Sequence, residues 1–247
     1  MKVLMLALAT SACCATTALA QRDADYTAPR QVSASTAGAR RILVAAGAGS
    51  LRIEGKRGLT EVRAHGTAYA SSRGVLDEIR LVANRRGDVV ELRTEIPEQR
   101  GGDWDNWQAG IDLVVEVPDS LALAVEDGSG GLEIRNVGML DVSDGSGEMI
   151  IEHVRGSLTI RDGSGSIRVD DVRGAVEIPS DGSGSVELSH VAGSVHVGFK
   201  GSGSVDVDDV AGSFTVGTKG SGGVTYRNVK GAVQVPERGR GWRHRER

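Results

Sequence analysis

The 247-residue chain sets 29 Lys and Arg against 33 Asp and Glu, a formal net charge of −4, with 25% of residues charged. Those totals describe neither a disordered polyelectrolyte nor a nucleic-acid surface, so no nucleic-acid partner is expected. The 35 glycines keep no three-residue period, which excludes collagen, and 3% aromatic content leaves a thin core of Val, Ile and Leu that favours β-structure.

Residues 1–20 read as a secretory signal peptide. Met1-Lys2 is the basic start, residues 3–9 are apolar, and Ala18-Leu19-Ala20 is a small-residue cleavage site before Gln21. The apolar stretch is too short for a membrane span. Both cysteines, Cys13 and Cys14, lie inside it, and Thr10 stands where a lipid-attachment motif wants Leu. The mature chain therefore has no cysteine, and an exported protein of the periplasm, cell surface or medium must hold together without disulfides.

Residues 21–40, rich in Ala, Ser, Thr, Arg and Gln, read as a flexible leader. Residues 41–118 are expected to form a less regular β region. Gly47-Ala48-Gly49-Ser50-Leu51-Arg52-Ile53 resembles a first coil, and longer strands at 75–83, 89–96 and 111–117 read as an antiparallel insertion or as an N-terminal sheet that begins the stack. Between them Asp103, Trp104, Asp105, Asn106 and Trp107 make the preferred ligand site, because aromatic faces beside carboxylates and amides can hold a sugar ring. The competing expectation is that the rings cap an apolar core. Glu91, Glu95 and Glu98 offer carboxylates, but no single pair stands out for glycoside cleavage.

Residues 119–235 carry the main signal. Gly-Ser-Gly recurs at 128–130, 145–147, 163–165, 182–184, 201–203 and 220–222, in steps of 17, 18, 19, 19 and 19. Val137, Val154, Val172, Val191, Val210 and Val229 keep the same steps. Inside each unit apolar and polar residues alternate, as in Val186-Glu187-Leu188 and Val195-His196-Val197, which is strand period. Strands this short bury nothing singly, whereas stacking them about 4.8 Å apart buries a continuous aliphatic column. The expected fold is all-β: a β-solenoid with two short strands per 17–19-residue coil. Gly128, Gly145, Gly163, Gly182, Gly201 and Gly220 are its structural turns. Residues 236–247, with five arginines and no apolar period, read as a disordered basic tail able to touch anionic lipid or polysaccharide.

Stacking also aligns polar residues. Asp127, Asp144, Asp162 and Asp181 precede the first four Gly-Ser-Gly turns, and Lys200 and Lys219 continue the column. Calcium suits stacked carboxylates. The repeat lacks the calcium-binding nonapeptide and ends in lysines, so a solvated carboxylate ladder is expected instead, with no cofactor. A second column precedes each corner valine: Asn136, His153, Asp171, His190, Asp209, Asn228. It reads as a register-fixing hydrogen-bonded ladder, with a divalent metal such as zinc on His153, Asp171 and His190 as the sharper alternative. The six serines recur with the turn, so none is expected to be a nucleophile.

The signal peptide, the Val115-Glu116-Val117-Pro118 strand end and the Asp-Gly-Ser-Gly coils resemble the bacterial "putative adhesin" domain family, over roughly residues 41–235. That resemblance implies an extracytoplasmic β-solenoid and surface-associated binding, with no catalytic residues to carry over. The expected function is a non-enzymatic, adhesin-like protein binding cell-envelope or extracellular polymers or proteins. A structural or sensing envelope module partnering another protein, and a polysaccharide-active enzyme, are the rivals.

Overall fold

A computed structural model describes residues 26–99 and 107–236, so the signal segment, most of the tryptophan loop and the basic tail lie outside the described residues. The chain runs β1 (Tyr26–Ser35), β2 (Arg41–Ala45), β3 (Leu51–Lys56), β4 (Glu61–Ala70), α1 (Arg73–Glu78), β5 (Arg80–Arg86), β6 (Val89–Glu95), β7 (Ala109–Pro118), β8 (Ala122–Ser129) and β9 (Leu132–Arg135). It continues with β10 (Leu140–Val154), β11 (Leu158–Val172), β12 (Val176–Ser183), β13 (Val186–Val191), β14 (Val195–Ser202), β15 (Val205–Val210), β16 (Phe214–Lys219), β17 (Val224–Val229) and β18 (Val233–Gln234).

The period-2 alternation produces two parallel ladders that face each other across the core. One runs β6-β2-β8-β10-β11-β12-β14-β16-β18, and the other β7-β3-β9-β10-β11-β13-β15-β17. β10 and β11 belong to both because each runs unbroken through its Gly-Ser-Gly corner. This is the expected β-solenoid. Ile151, Val169, Leu188 and Val207 stack in register, as do Val154, Val172, Val191 and Val210, and all eight are buried. Each such side chain contributes about 1.5–3 kcal/mol relative to exposure.

The changing coil length has a local cause at each step. Val154-Arg155-Gly156-Ser157-Leu158 takes one residue more than Val137-Gly138-Met139-Leu140, which accounts for the step from 17 to 18. The next residue enters as a bulge: Thr159 pairs with Glu177, but Arg161 pairs with Ser180. Phe199 pairs with Ser180 one coil later, just past the bulge, and this outward position leaves it 48% exposed.

The two glycines of each turn serve different ends. Gly147 has φ 140°, and a Cβ there would fall 1.6 Å from the Gly130 carbonyl oxygen; Gly145 lacks positive φ, yet a Cβ would fall 2.4 Å from the Gly128 carbonyl oxygen. Backbone in one coil leaves no room for a side chain in the next.

Three expectations for the N-terminal region are corrected. The supposed flexible leader is, over Tyr26–Ser35, a ten-residue strand paired antiparallel with β4 from Tyr26↔Ala70 to Ser35↔Glu61. Its inward residues, Tyr26, Ala28, Arg30, Val32 and Ala34, are too small or polar to give a strong apolar alternation. The strand expected at 75–83 is split. Ser72 caps α1 by accepting from the Val75 N–H at 3.3 Å, Leu76 is buried, and β5 starts only at Arg80. Arg30 donates to the Leu76 and Ile79 carbonyls at 2.8 and 2.9 Å, which ties β1 to the helix end. Finally, the first coil in sequence is not the first in space. β2 and β3 lie between β6 and β7 on one side and β8 and β9 on the other.

Candidate functional site: the left-handed corner edge

The column before the corner valines has a backbone explanation. Asn136, His153, Asp171, His190, Asp209 and Asn228 all have φ between 52° and 59°, and they are all the positive-φ non-glycine residues among those described. Asn, Asp and His tolerate this left-handed conformation best of the residues with side chains. Their identity is thus set first by the turn, and their side chains then line one edge of the solenoid.

Along that edge His153 Nδ1 stands 2.9 Å from Asp171 Oδ2 on the next coil. His190 does not join them. Its Nδ1 lies 2.6 Å from Asp170 Oδ1, and its Nε2 is 3.7 Å from Asp209 Oδ2. The three residues considered for a metal therefore divide between two imidazole–carboxylate contacts. Among the described residues no group of three or more His, Asp or Glu is placed to hold a metal ion.

The hydrogen bond and charge of Asp170, with Asp209 and Asp208 beyond, hold the His190 imidazole above its ordinary pKa against some desolvation. Burial pushes Asp170 upward, but the His190 and Ser189 hydrogen bonds and the charges of His190 and His153 outweigh it and leave its pKa low.

Two grooves open on this edge. The upper one, about 480 Å³, is lined by Arg57, Arg155 and Arg173 from three coils, with Asn136, His153 and the carboxylates of Asp119 and Asp171. Arg155 is paired with Asp119 at 2.8 Å. Arg57 and Arg173 are exposed and form no ion pair with a carboxylate among the described residues. The lower groove, about 620 Å³, has Ala192 and Ala211 at the positions of those arginines, between His190, Asp209, Asn228 and Lys230. One edge therefore carries a cationic half and a half with small apolar side chains. The arginines were not singled out from the sequence, although the residue after each of the last five corner valines, Arg155, Arg173, Ala192, Ala211 and Lys230, is as periodic as the one before it.

Of the tryptophan loop, Trp107 is half-buried and packs against the core. Asp103, Trp104, Asp105 and Asn106 lie outside the described residues. Glu91 is buried, hydrogen-bonded to Arg93 and 3.6 Å from Arg86, while Glu95 and Glu98 are exposed.

The expected solvated carboxylate ladder is corrected by burial. Asp127, Asp144 and Asp162 are 6–7% exposed, Asp181 is 0% and Lys200 is 1%. Parity is the reason: in Leu140-Asp141-Val142-Ser143-Asp144 the alternation that turns Leu140 and Val142 inward turns Asp144 inward too.

No helix among the described residues is long and apolar enough to cross a membrane. No family model matches the chain, and no curated protein matches it. Similar solved structures include a "putative cell adhesion protein" from Clostridium sporogenes, at 13% identity over 85% of this chain and 98% of that one, TM-score 0.34. A "putative adhesin" from Parabacteroides merdae is similar at 11% identity over 85% and 96%, TM-score 0.34. A "putative lipid binding protein" from Parabacteroides distasonis is similar at 12% identity over 85% and 96%, TM-score 0.35.

Proposed function

We propose that this chain is an exported, non-enzymatic, adhesin-like β-solenoid of the periplasm or cell surface. It binds envelope or extracellular polymers along the left-handed corner edge. The observation that carries this reading is the upper groove, where coil stacking gathers Arg57, Arg155 and Arg173 on one edge and leaves two guanidiniums exposed without a carboxylate partner among the described residues. Guanidinium recognises carboxylate, sulfate and phosphate through paired N–H donors. Coils spaced by about 4.8 Å set the cations at multiples of that step, which suits a repeating acidic polymer bound by several weak contacts. The recurrence of each turn serine and the engagement of Glu91 by arginines support a binding role over a hydrolytic one.

The test is binding of the mature chain to an array of acidic and neutral glycans, repeated with Arg57→Ala/Arg173→Ala. The expected result is retention on acidic polymers, weakened about tenfold or more by the double substitution and by added salt. No retention on any glycan, with crosslinking to an envelope protein instead, would replace this reading by the protein-partner one.

A further inference from the structure

Asp127, Asp144, Asp162 and Asp181 lie in register on β8, β10, β11 and β12, and Lys200 and then Lys219 follow on β14 and β16. All eight carboxylate oxygens of the four aspartates are buried, and none makes a hydrogen bond of good geometry. The cation within reach is Lys200, whose Nζ lies 2.8 Å from Asp181 Oδ2 and also donates to the Ser202 carbonyl. Lys219 is turned to the Gly222 carbonyl at 3.3 Å. Beyond Asp127 the neighbouring coil offers Ala46, and the inward residues of the facing strands, Leu132, Met149, Ile167, Val186 and Val205, are all apolar. Four ionised carboxylates on one lysine would leave three uncompensated negative charges in a dry core, at a prohibitive desolvation cost.

We propose that this column is a buried proton-binding site, in which neutral and ionised carboxyls alternate away from Lys200 and adjacent coils share protons. Asp181 is the ionised partner of Lys200, Asp162 is neutral and donates to an ionised Asp144, and Asp127 is neutral. One net negative charge remains instead of three. The electrostatics agree. Burial, aided by the charges of Asp181 and Asp144, raises the Asp162 pKa to about 7. Burial and the charge of Asp144 raise Asp127 to about 7, against the opposing pull of the Gly128 N–H. Burial raises Asp144 too, against the opposing pull of the Gly145 and Ser146 N–H groups and the neighbouring Asp162 carboxyl. Burial also raises Asp181, opposed by Lys200.

The sign follows. A carboxyl whose pKa is higher folded than unfolded binds protons on folding, so its stabilisation is full below the unfolded value of 3.8 and is lost as pH rises toward 7. The column therefore stabilises the solenoid less and less as pH rises from about 4 to about 7, and least above that.

The test is thermal melting of the full chain between pH 5 and 8 in EDTA, alongside Asp162→Asn, whose amide mimics the neutral acid and leaves the histidines untouched. The unmutated chain is expected to lose about 5 °C or more across that range. Asp162→Asn is expected to flatten the slope and melt above the unmutated chain at pH 8. Because a core variant can fail to fold, the infrared carbonyl band of protonated carboxylic acid is read on the unmutated chain at pH 6, where it is expected to persist. Absence of that band, or a melting temperature that is flat or rises with pH, overturns the proposal. So does a melting temperature raised by calcium chloride and no longer raised in Asp162→Asn, which assigns the column to a divalent cation.

Discussion

Lys200 and Asp181 form an ion pair at 2.8 Å with side chains only 2% and 0% exposed, one coil apart inside an otherwise aliphatic core. Removing one partner of such a pair strands the other charge, which typically costs about 3–5 kcal/mol. Lys200→Met is expected to lose that much in denaturant melts at pH 7. Lys200→Met/Asp181→Leu is expected to recover most of it, because an apolar pair strands neither of these two charges. A double variant no better than the single would mean that the pair anchors the turn by geometry and not by charge.

The second glycine of each turn gives a sharper contrast. At Gly165 φ is 143° and a Cβ would fall 1.7 Å from the Gly147 carbonyl oxygen, whereas at Gly131 nothing lies within 4 Å. Gly165→Ala is expected to cost about 2 kcal/mol or more, and Gly131→Ala to stay near neutral, as read from urea midpoints.

The corner column makes a conformational prediction. His153 sits at φ 59°, so His153→Gly removes a strained side-chain conformation and is expected to be neutral or stabilising. His153→Val places a β-branched residue there and is expected to cost about 1–2 kcal/mol. Equal losses in both variants would assign His153 to its contact with Asp171 instead of to the turn.

The contact between His190 and Asp170 adds a pH dependence separate from that of the buried aspartate column. His190 is raised, so the stability it contributes is present below its unfolded pKa and is lost as pH rises through the folded one. Asp170 is lowered, so its share is present above the ordinary carboxylate pKa and is lost as pH falls through its folded value. Nuclear magnetic resonance titration should place His190 above the ordinary value of 6.5, and His190→Gln should lessen the slope of melting temperature against pH without abolishing it. A His190 that titrates below that value would show that the Asp170 contact is absent in solution.

The solenoid was legible because its markers are strictly periodic: Gly-Ser-Gly and the corner valines moved together, and alternation fixed which face each strand buries. Two further features follow from the same periodicity. Parity alone places Asp144 and Asp162 beside Val142 and Ile160, so their burial could have been derived from the alternation that located the core. A column of Asn, His and Asp at one turn position is the signature of left-handed backbone. The placement of β2 and β3 between later strands was not legible, since a coil carries the same alternation wherever it stacks. Nor was α1, whose six residues are too few to set a helical period.

The in-register stacking on which the columns, the groove and the buried acids all depend can be read from one crosslink. Ser185 Oγ and Ser204 Oγ lie 3.4 Å apart on successive coils, beside the in-register pair Val186↔Val205. In a chain lacking Cys13 and Cys14, Ser185→Cys/Ser204→Cys is expected to close a disulfide under mild oxidation and to raise the melting temperature. Ser185→Cys/Ser194→Cys, within one coil, is expected to stay reduced. Thiols that remain reduced in the Ser185→Cys/Ser204→Cys variant, or that link only between molecules, would contradict the stacking and everything built on it.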